Sequence, residues 1–371
     1  MPTASIAVVG AGPGGVAAAR RLRGHARVVL VEREGEAWYL PGTVPTLLGE
    51  APAERWRARL SPAGVEVVPG EAAEVSGGSV RLGGGAVVRA DAVIAAPGLA
   101  LDAAAVPEAA NVFAFWSPSG AARATRAVRS LREGVVAVVV AALPYRCPPA
   151  PYGVAMQLAG LYRSLGRGVH VVLTTPEEEP LQALGEEVSR FLRRSCASEG
   201  VELVTAFRPE LASLASGSLR SRDGASVGFD LALVVPPHRR SPLLAGLPGE
   251  GPLVEVSSRF ETAEEGLYVV GDAAGTGLPR AADAAAAAGT TAAEDALRRL
   301  GLLEEAAAHL PAPECYVGHG GGRYSRISLR YPEGLPLRGG ARVAIEGPSA
   351  SLAAGFEEAF HSWRALREEN A

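Results

Sequence analysis

Two cysteines stand in settings where a thiol could react. Cys147 lies in Leu143-Pro144-Tyr145-Arg146-Cys147-Pro148-Pro149-Ala150-Pro151-Tyr152-Gly153, and Cys315 in Glu314-Cys315-Tyr316-Val317-Gly318-His319-Gly320-Gly321-Gly322. Both turns are rich in Pro or Gly, unlike the apolar helix and strand faces on which an inert thiol packs. Thiol exchange needs an accessible thiolate of low pKa, and Arg146 beside Cys147 would help to supply that environment. The two residues are far apart in sequence, so only folding could pair them; the alternative is two unrelated buried thiols. Cys196, in Phe191-Leu192-Arg193-Arg194-Ser195-Cys196 near a helix end, reads as packing. His238, after two prolines, and His319, in the Gly-rich turn, are lone histidines, which are more often structural than proton carriers. No His, Cys or carboxylate cluster has metal-ligand spacing, so no metal is expected.

A different chemistry is written near the N-terminus. Gly10-Ala11-Gly12-Pro13-Gly14-Gly15 is a G-x-G-x-x-G turn. Gly10 permits the tight turn, Gly12 lets the backbone approach a pyrophosphate, and Gly15 lets helix and strand pack closely. The helix that begins at Gly14 offers amide donors and the positive end of its dipole to phosphates. Glu32 follows about 20 residues on, where an acid holds ribose hydroxyls and disfavours a 2′-phosphate. Together these features predict dinucleotide binding.

The elements that must position these residues follow from periodicity. Residues 5–10, 14–24 and 27–32 read as strand, helix and strand, a complete βαβ unit. Residues 65–88 read as an antiparallel meander, and 90–96 as a buried strand ending in Pro97-Gly98. A second βαβ unit comprises a helix at 119–132, a strand at 135–141, a helix at 152–165 and a strand at 169–173. A helix at 181–199 precedes short strands over 201–229 and a strand at 231–235. The strand at 267–270 runs into Gly271-Asp272-Ala273, and an Ala-rich helix spans 281–300. The C-terminal part reads as a short β segment and a helix. The fold expected is α/β, with two Rossmann-like domains of parallel sheet and antiparallel meander plus a small C-terminal α+β segment. The domains would be 1–110 with 237–310, then 111–236, then 311–371.

Composition excludes several functions. The chain is 48% hydrophobic and 20% charged, which supports a sizeable core, and its net charge of -4 gives no footprint for nucleic acid. All 36 basic residues are Arg, which removes any Walker-A lysine or lysine Schiff base. No signal peptide and no long apolar span is apparent, so a cytoplasmic protein that does not cross a membrane is expected.

The order of these motifs over residues 1–310 resembles the two-dinucleotide-domain flavoproteins. In that family the glycine turn and the following acid hold the ADP half of FAD, and the late Asp holds the ribitol. The resemblance implies FAD contacts from Gly10, Gly12, Gly14, Gly15, Glu32, Arg33, Pro97, Gly98, Gly271, Asp272 and Arg280. The second βαβ unit departs from the family pattern. Where a second glycine turn should follow its strand, the prolines around Cys147 offer no amides and cannot form that turn. The nicotinamide site is therefore expected to be lost.

The string around Cys147 resembles the flavoprotein subunit of flavocytochrome c sulfide dehydrogenase and the sulfide:quinone oxidoreductases, which also carry a C-terminal Cys-Tyr before a Gly-rich turn. The stretches Pro236-Pro237-His238-Arg239-Arg240-Ser241-Pro242 and Leu278-Pro279-Arg280 fit the same family, with Arg280 in place of its usual Lys. Gly153 stands where the family commonly has Glu. The resemblance implies a Cys147–Cys315 disulfide attacked by a sulfide, persulfide or polysulfide substrate, leaving a persulfide on one sulfur and a thiolate on the other, with two electrons passing to FAD. No cysteine precedes residue 147, so the FAD should be non-covalent. Quinone is the acceptor expected, with a cytochrome as the alternative. Leu352, Phe356, Phe360, Trp363 and Leu366 form one stripe of the last helix. Such a stripe is usually core, but it could also be a quinone-site wall or a peripheral foot on the inner face of a membrane. Oligomerisation is left open. The rival readings are an NAD(P)H-dependent disulfide or quinone reductase and a non-catalytic FAD-binding protein.

Overall fold

In the computed structural model, residues 4–333, 335, 337 and 340–369 are described. The apolar run Ser5–Val9 is buried along nearly its whole length, as a central strand of a parallel sheet covered on both faces must be. The sheet order is Leu267–Val269, Ala92–Ala95, Ser5–Val9, Arg27–Glu32 and Glu66–Pro69, with every pair parallel. Helices Pro13–Leu22 and Ala282–Arg299 cross on one face, so closely that a Cβ at Gly289 would lie 2.0 Å from the Gly14 carbonyl oxygen. Ile6, Val8, Leu22, Leu30, Tyr268 and Leu297 fill the core beneath them.

A second parallel sheet has the order Val112–Ala114, Leu231–Val235, Glu133–Val140, Gly168–Thr174 and Val201–Val204. Helices Pro118–Ser130, Ala150–Ser164 and Glu186–Glu199 accompany it. Ser117 caps the first of these, its hydroxyl accepting from the Gly120 amide at 3.1 Å. The third ends at Gly200, in the left-handed conformation that glycine adopts without strain. The α/β architecture with two Rossmann-like parallel sheets is the one expected from the sequence.

Three details differ from the sequence expectation. Glu66–Pro69 is the parallel edge strand of the first sheet, which leaves the meander to Ala72–Ser76, Ser79–Leu82 and Val87–Arg89. A short edge strand has the same local alternation in either pairing, so only its partner decides. The helix expected from residue 181 begins at Glu186, because Leu181 and Gly185 have φ of +48° and +101° and break the helical path. The C-terminal segment holds a three-stranded antiparallel sheet, Glu314–Gly318, Tyr324–Arg330 and Arg342–Ser349, before the helix Ala353–Ala365.

That last helix turns its aromatic stripe inward. Phe360 is buried, with its ring centroid 4.9 Å from that of Trp56 and 5.3 Å from that of Tyr39, while Phe356 and Trp363 are part-buried in the same cluster. Leu366, at the end of the stripe, stays exposed. Packing is thus the role of its centre. No helix among the described residues is long and apolar enough to cross a membrane.

Candidate active site

The expected dinucleotide turn sits at the carboxyl ends of the first sheet's strands, the usual ligand crevice of an open α/β sheet. Gly10 has φ of +95°, and a Cβ there would meet the Ala96 carbonyl oxygen at 2.4 Å. A Cβ at Gly15 would collide with the Gly10 carbonyl oxygen at 1.8 Å, whereas one at Gly12 would meet nothing within 4 Å. Two glycines therefore serve packing, and the middle one faces open space. Helix Pro13–Leu22 starts with no side-chain cap, leaving its first amides free for an anion. Glu32 ends the second strand and accepts from the Ala11 amide at 2.6 Å and the Arg33 amide at 2.9 Å. The Arg33 side chain is exposed and reaches Glu71 at 3.6 Å. Pro97 and Gly98 follow the strand Ala92–Ala95, and Gly98 has φ of +66° with open space at its Cβ position. The donors and the space fit a dinucleotide pyrophosphate.

Gly271, with φ of +74°, turns the chain after Leu267–Val269 and sets Asp272 into the same crevice. Burial pushes the Asp272 carboxyl above its usual range, while Arg280 and Arg146 pull it back. Arg280 is itself buried; its guanidinium donates to the Leu278 carbonyl at 2.7 Å, and its Nε has no partner among the described residues.

Cys147 meets this crevice from the second unit. It holds a left-handed conformation, φ +53°, which costs a non-glycine residue about 1 kcal/mol or more. Its amide donates to the Arg280 carbonyl at 2.9 Å, and its own carbonyl accepts from the Ala150 amide that opens helix Ala150–Ser164. That helix receives the C-terminal hairpin. A Cβ at Gly153 would lie 3.1 Å from the Gly318 amide nitrogen, and one at Gly160 would lie 2.3 Å from the Gly320 Cα. Bare backbone at 153 and 160 lets the strand carrying Cys315 lie against the helix that starts beside Cys147. A side chain at 153 would require the Gly318 backbone to give way by a few tenths of an ångström.

The two cysteines are free thiols in the structure, both part-buried against one core, and close enough that charge on Cys147 raises the pKa of Cys315. Burial pushes the Cys147 thiol up to about 11; Arg146 pulls it down and Asp272 pushes it up further. Cys315 is also pushed up, by burial first and then by Cys147, Asp283 and Glu314. The low-pKa thiolate expected from Arg146 is not what this environment gives, because desolvation outweighs the one cation. Cys196 is fully buried, and burial pushes its thiol up to about 12, as befits a packing residue.

Both histidines are buried and hydrogen-bonded. His238 Nδ1 lies 3.0 Å from the Pro236 carbonyl, and its Nε2 accepts from the Arg146 amide at 3.4 Å. Burial, then Arg146, pushes its pKa down to about 4. His319 is buried, with Nε2 2.9 Å from the Ser325 hydroxyl, and burial lowers its pKa too.

A buried acid was not anticipated from sequence. Glu177 lies three residues past the strand Gly168–Thr174, near the place that the ribose acid would take in a second dinucleotide unit. It accepts from Tyr152 at 2.7 Å, Thr175 at 2.9 Å and Tyr145 at 3.3 Å. The single Tyr145 O–H is shared between this acid and the Pro148 carbonyl, 3.0 Å away, which ties the Cys147 turn to the acid. The second unit thus carries two buried tyrosines near the place where the first carries a glycine cradle. The position of Glu177 after its strand was the available signal.

Two parallel Rossmann-like units with thiols at their junction define an oxidoreductase of the dinucleotide-binding class. The chain belongs to the pyridine nucleotide-disulphide oxidoreductase family, whose model matches residues 4–289. It is similar in fold to the sulfide:quinone oxidoreductase of the hyperthermophilic bacterium Aquifex aeolicus, with a TM-score of 0.83 at 14% identity, over 98% of this chain and 92% of that one. A NAD-dependent persulfide reductase from A. fulgidus gives a TM-score of 0.63 at 18% identity, over 96% of this chain and 77% of that one. A chain of the Tetrahymena thermophila mitochondrial ATP synthase gives a TM-score of 0.71 at 11% identity, over 100% and 94%. At these identities the likeness is one of fold. No curated protein has a matching sequence.

Proposed function

We propose that this protein oxidises sulfide through a Cys147–Cys315 redox disulfide and a non-covalent FAD, and delivers the electrons to a quinone. The observation that carries the reading is the meeting of two cysteines, remote in sequence, in the crevice that also holds Asp272. In this reading, residues 1–110 with 237–310 form the FAD domain. The turn from Gly10 to Gly15 holds the pyrophosphate, Glu32 and Arg33 the ribose, and Asp272 the ribitol. Pro97, Gly98 and Gly271 leave room at the flavin side, and Arg280 is a buried cation beside Asp272. FAD, when bound, supplies a two-electron acceptor beside the thiols.

A hydrosulfide anion attacks one sulfur of the disulfide, the S–S bond breaks, and a persulfide forms on one cysteine with a thiolate on Cys315. Reclosure of the disulfide releases one sulfur atom at the zero-valent level, one proton and two electrons. A bound flavin would supply the acceptor for the two electrons, and further sulfide would carry the released sulfur away as a persulfide or polysulfide.

The route out favours a quinone over a nicotinamide. Tyr145 and Tyr152 are buried beside Glu177, in a unit that lacks a second glycine turn. Phe356 and Trp363, part-buried beside Tyr39, offer aromatic surface to a planar acceptor. A quinone acceptor places the protein against the inner face of a membrane, as a peripheral partner.

Anaerobic titration tests this. Sulfide should bleach the visible flavin band of the purified protein and NADH should leave it unchanged. Bleaching by NADH, with none by sulfide, would establish the reductase reading instead.

A further inference from the structure

Among the described residues, the C-terminal tail carries the best-buried cation. Arg367 is 1% exposed and the largest fully buried side chain described. Its guanidinium donates to the Trp363 carbonyl at 2.8 Å and to the Ala11 carbonyl at 3.2 Å, and it lies 4.3 Å from the Trp363 ring centroid. Its Nε has no partner, and no acidic side chain among the described residues pairs with it. Burial alone lowers its pKa to about 9. A buried charge without a counter-charge is strongly destabilising.

The tail is fixed where it lies. Glu369 pairs with Arg20 and Arg23 on helix Pro13–Leu22 and accepts from the Ala63 amide at 3.3 Å. The Arg367 carbonyl accepts from the Ser61 amide at 2.8 Å, and Glu368 accepts from the Arg59 amide at 3.2 Å. Docking of residues 367–369 is therefore specified by charge pairs and backbone bonds, independently of the guanidinium.

The guanidinium grips one peptide of the glycine turn. Ala11 donates its N–H to Glu32 and gives its carbonyl to Arg367. The other edge of that carbonyl's peptide is the Gly12 N–H, which has no hydrogen-bond partner among the described residues. In a trans peptide the C=O and N–H point opposite ways, so a cation on the oxygen polarises the N–H away from itself. Gly12 is also the glycine whose Cβ position is open.

We propose that Arg367 is a positioning residue of the dinucleotide site: it polarises the Ala11–Gly12 peptide toward the pyrophosphate, whose negative charge compensates its own. The inference rests on the FAD reading above. It extends that site to the chain's C-terminus, outside the two Rossmann-like units.

The test uses the full chain stripped of flavin, with FAD and ADP as probes. Arg367→Met should weaken both by about tenfold, the scale of a lost hydrogen bond to a charged group. Arg367→Lys should recover part of the loss. The melting temperature of flavin-free Arg367→Met should equal or exceed that of wild type, because an unpaired buried charge has been removed. A purely structural role would lower that temperature. FAD and ADP affinities within twofold of wild type, or a flavin-free variant that melts below wild type, would overturn the proposal. A wild-type chain that binds neither probe would instead remove the FAD reading on which it rests.

Discussion

Cys147 is held by its neighbours in a conformation and a medium that a free cysteine avoids. The Arg280 carbonyl pins its amide at positive φ, and His238 holds the preceding amide. In the reduced state the thiol form dominates at neutral pH, since burial raises it to about 11. Reactivity in this cleft would thus reside in the disulfide, which a small anion can attack without a resting thiolate. The folded pKa of His238, about 4, lies below the unfolded value of 6.5. Between those pH values the unfolded chain binds more protons, so the contribution is complete above about pH 6.5 and is lost as pH falls toward 4. Replacing His238 with Gln removes this titration while keeping an amide that can hydrogen-bond. Relative to that variant, wild type should lose about 2 kcal/mol of stability between pH 7 and pH 5, measured by denaturant unfolding. Parallel pH profiles for the two proteins would contradict the neutral, buried imidazole. None of this environment was legible locally: Arg146 beside Cys147 suggested a lowered pKa, and the burial that outweighs it comes from distant segments.

The decisive element is the helix Ala150–Ser164, which begins beside Cys147 and receives the hairpin bearing Cys315. Its two glycines, 153 and 160, make that docking possible. Glycine in a helix interior costs about 1 kcal/mol relative to alanine, so Gly160→Ala gains intrinsic helix stability. The added Cβ would stand 2.3 Å from the Gly320 Cα, and such overpacking costs about 1–3 kcal/mol. The variant should therefore melt below wild type and lose most of its sulfide-dependent flavin reduction while keeping its flavin. A Gly160→Ala protein more stable than wild type would remove the docking account. The sequence pattern carried strong local signals and missed distant ones. The glycine turn, Glu32 and the strand at 267–269 were readable because spacing and periodicity are properties of short segments. Glu66–Pro69 was misassigned because its partner, Arg27–Glu32, decides its direction. Gly153 was legible only as a departure from the family's usual Glu and Gly160 not at all, since nothing nearby in sequence announces the Gly318–Gly320 backbone that packs on them.

At the scale of the molecule, two units of one architecture have diverged. The first keeps the open Gly12 cradle; the second places buried Tyr145 and Tyr152 around Glu177 and turns the same strand end into an anchor for the Cys147 turn. The loss of the second glycine turn was legible from its prolines, but the tyrosine–glutamate anchor was not. The C-terminal segment closes the arrangement. It brings Cys315 to the junction, covers Tyr39 and Trp56 with Phe360, and sends Arg367 back to the glycine turn. The central claim, that electrons enter through the Cys147–Cys315 pair, is tested most directly by anaerobic sulfide titration of Cys147→Ser and Cys315→Ser. Both variants should retain FAD, and sulfide should leave the visible flavin band of each unbleached, while Cys196→Ser should bleach as wild type does. Full bleaching of Cys315→Ser by sulfide at the wild-type rate would contradict the account.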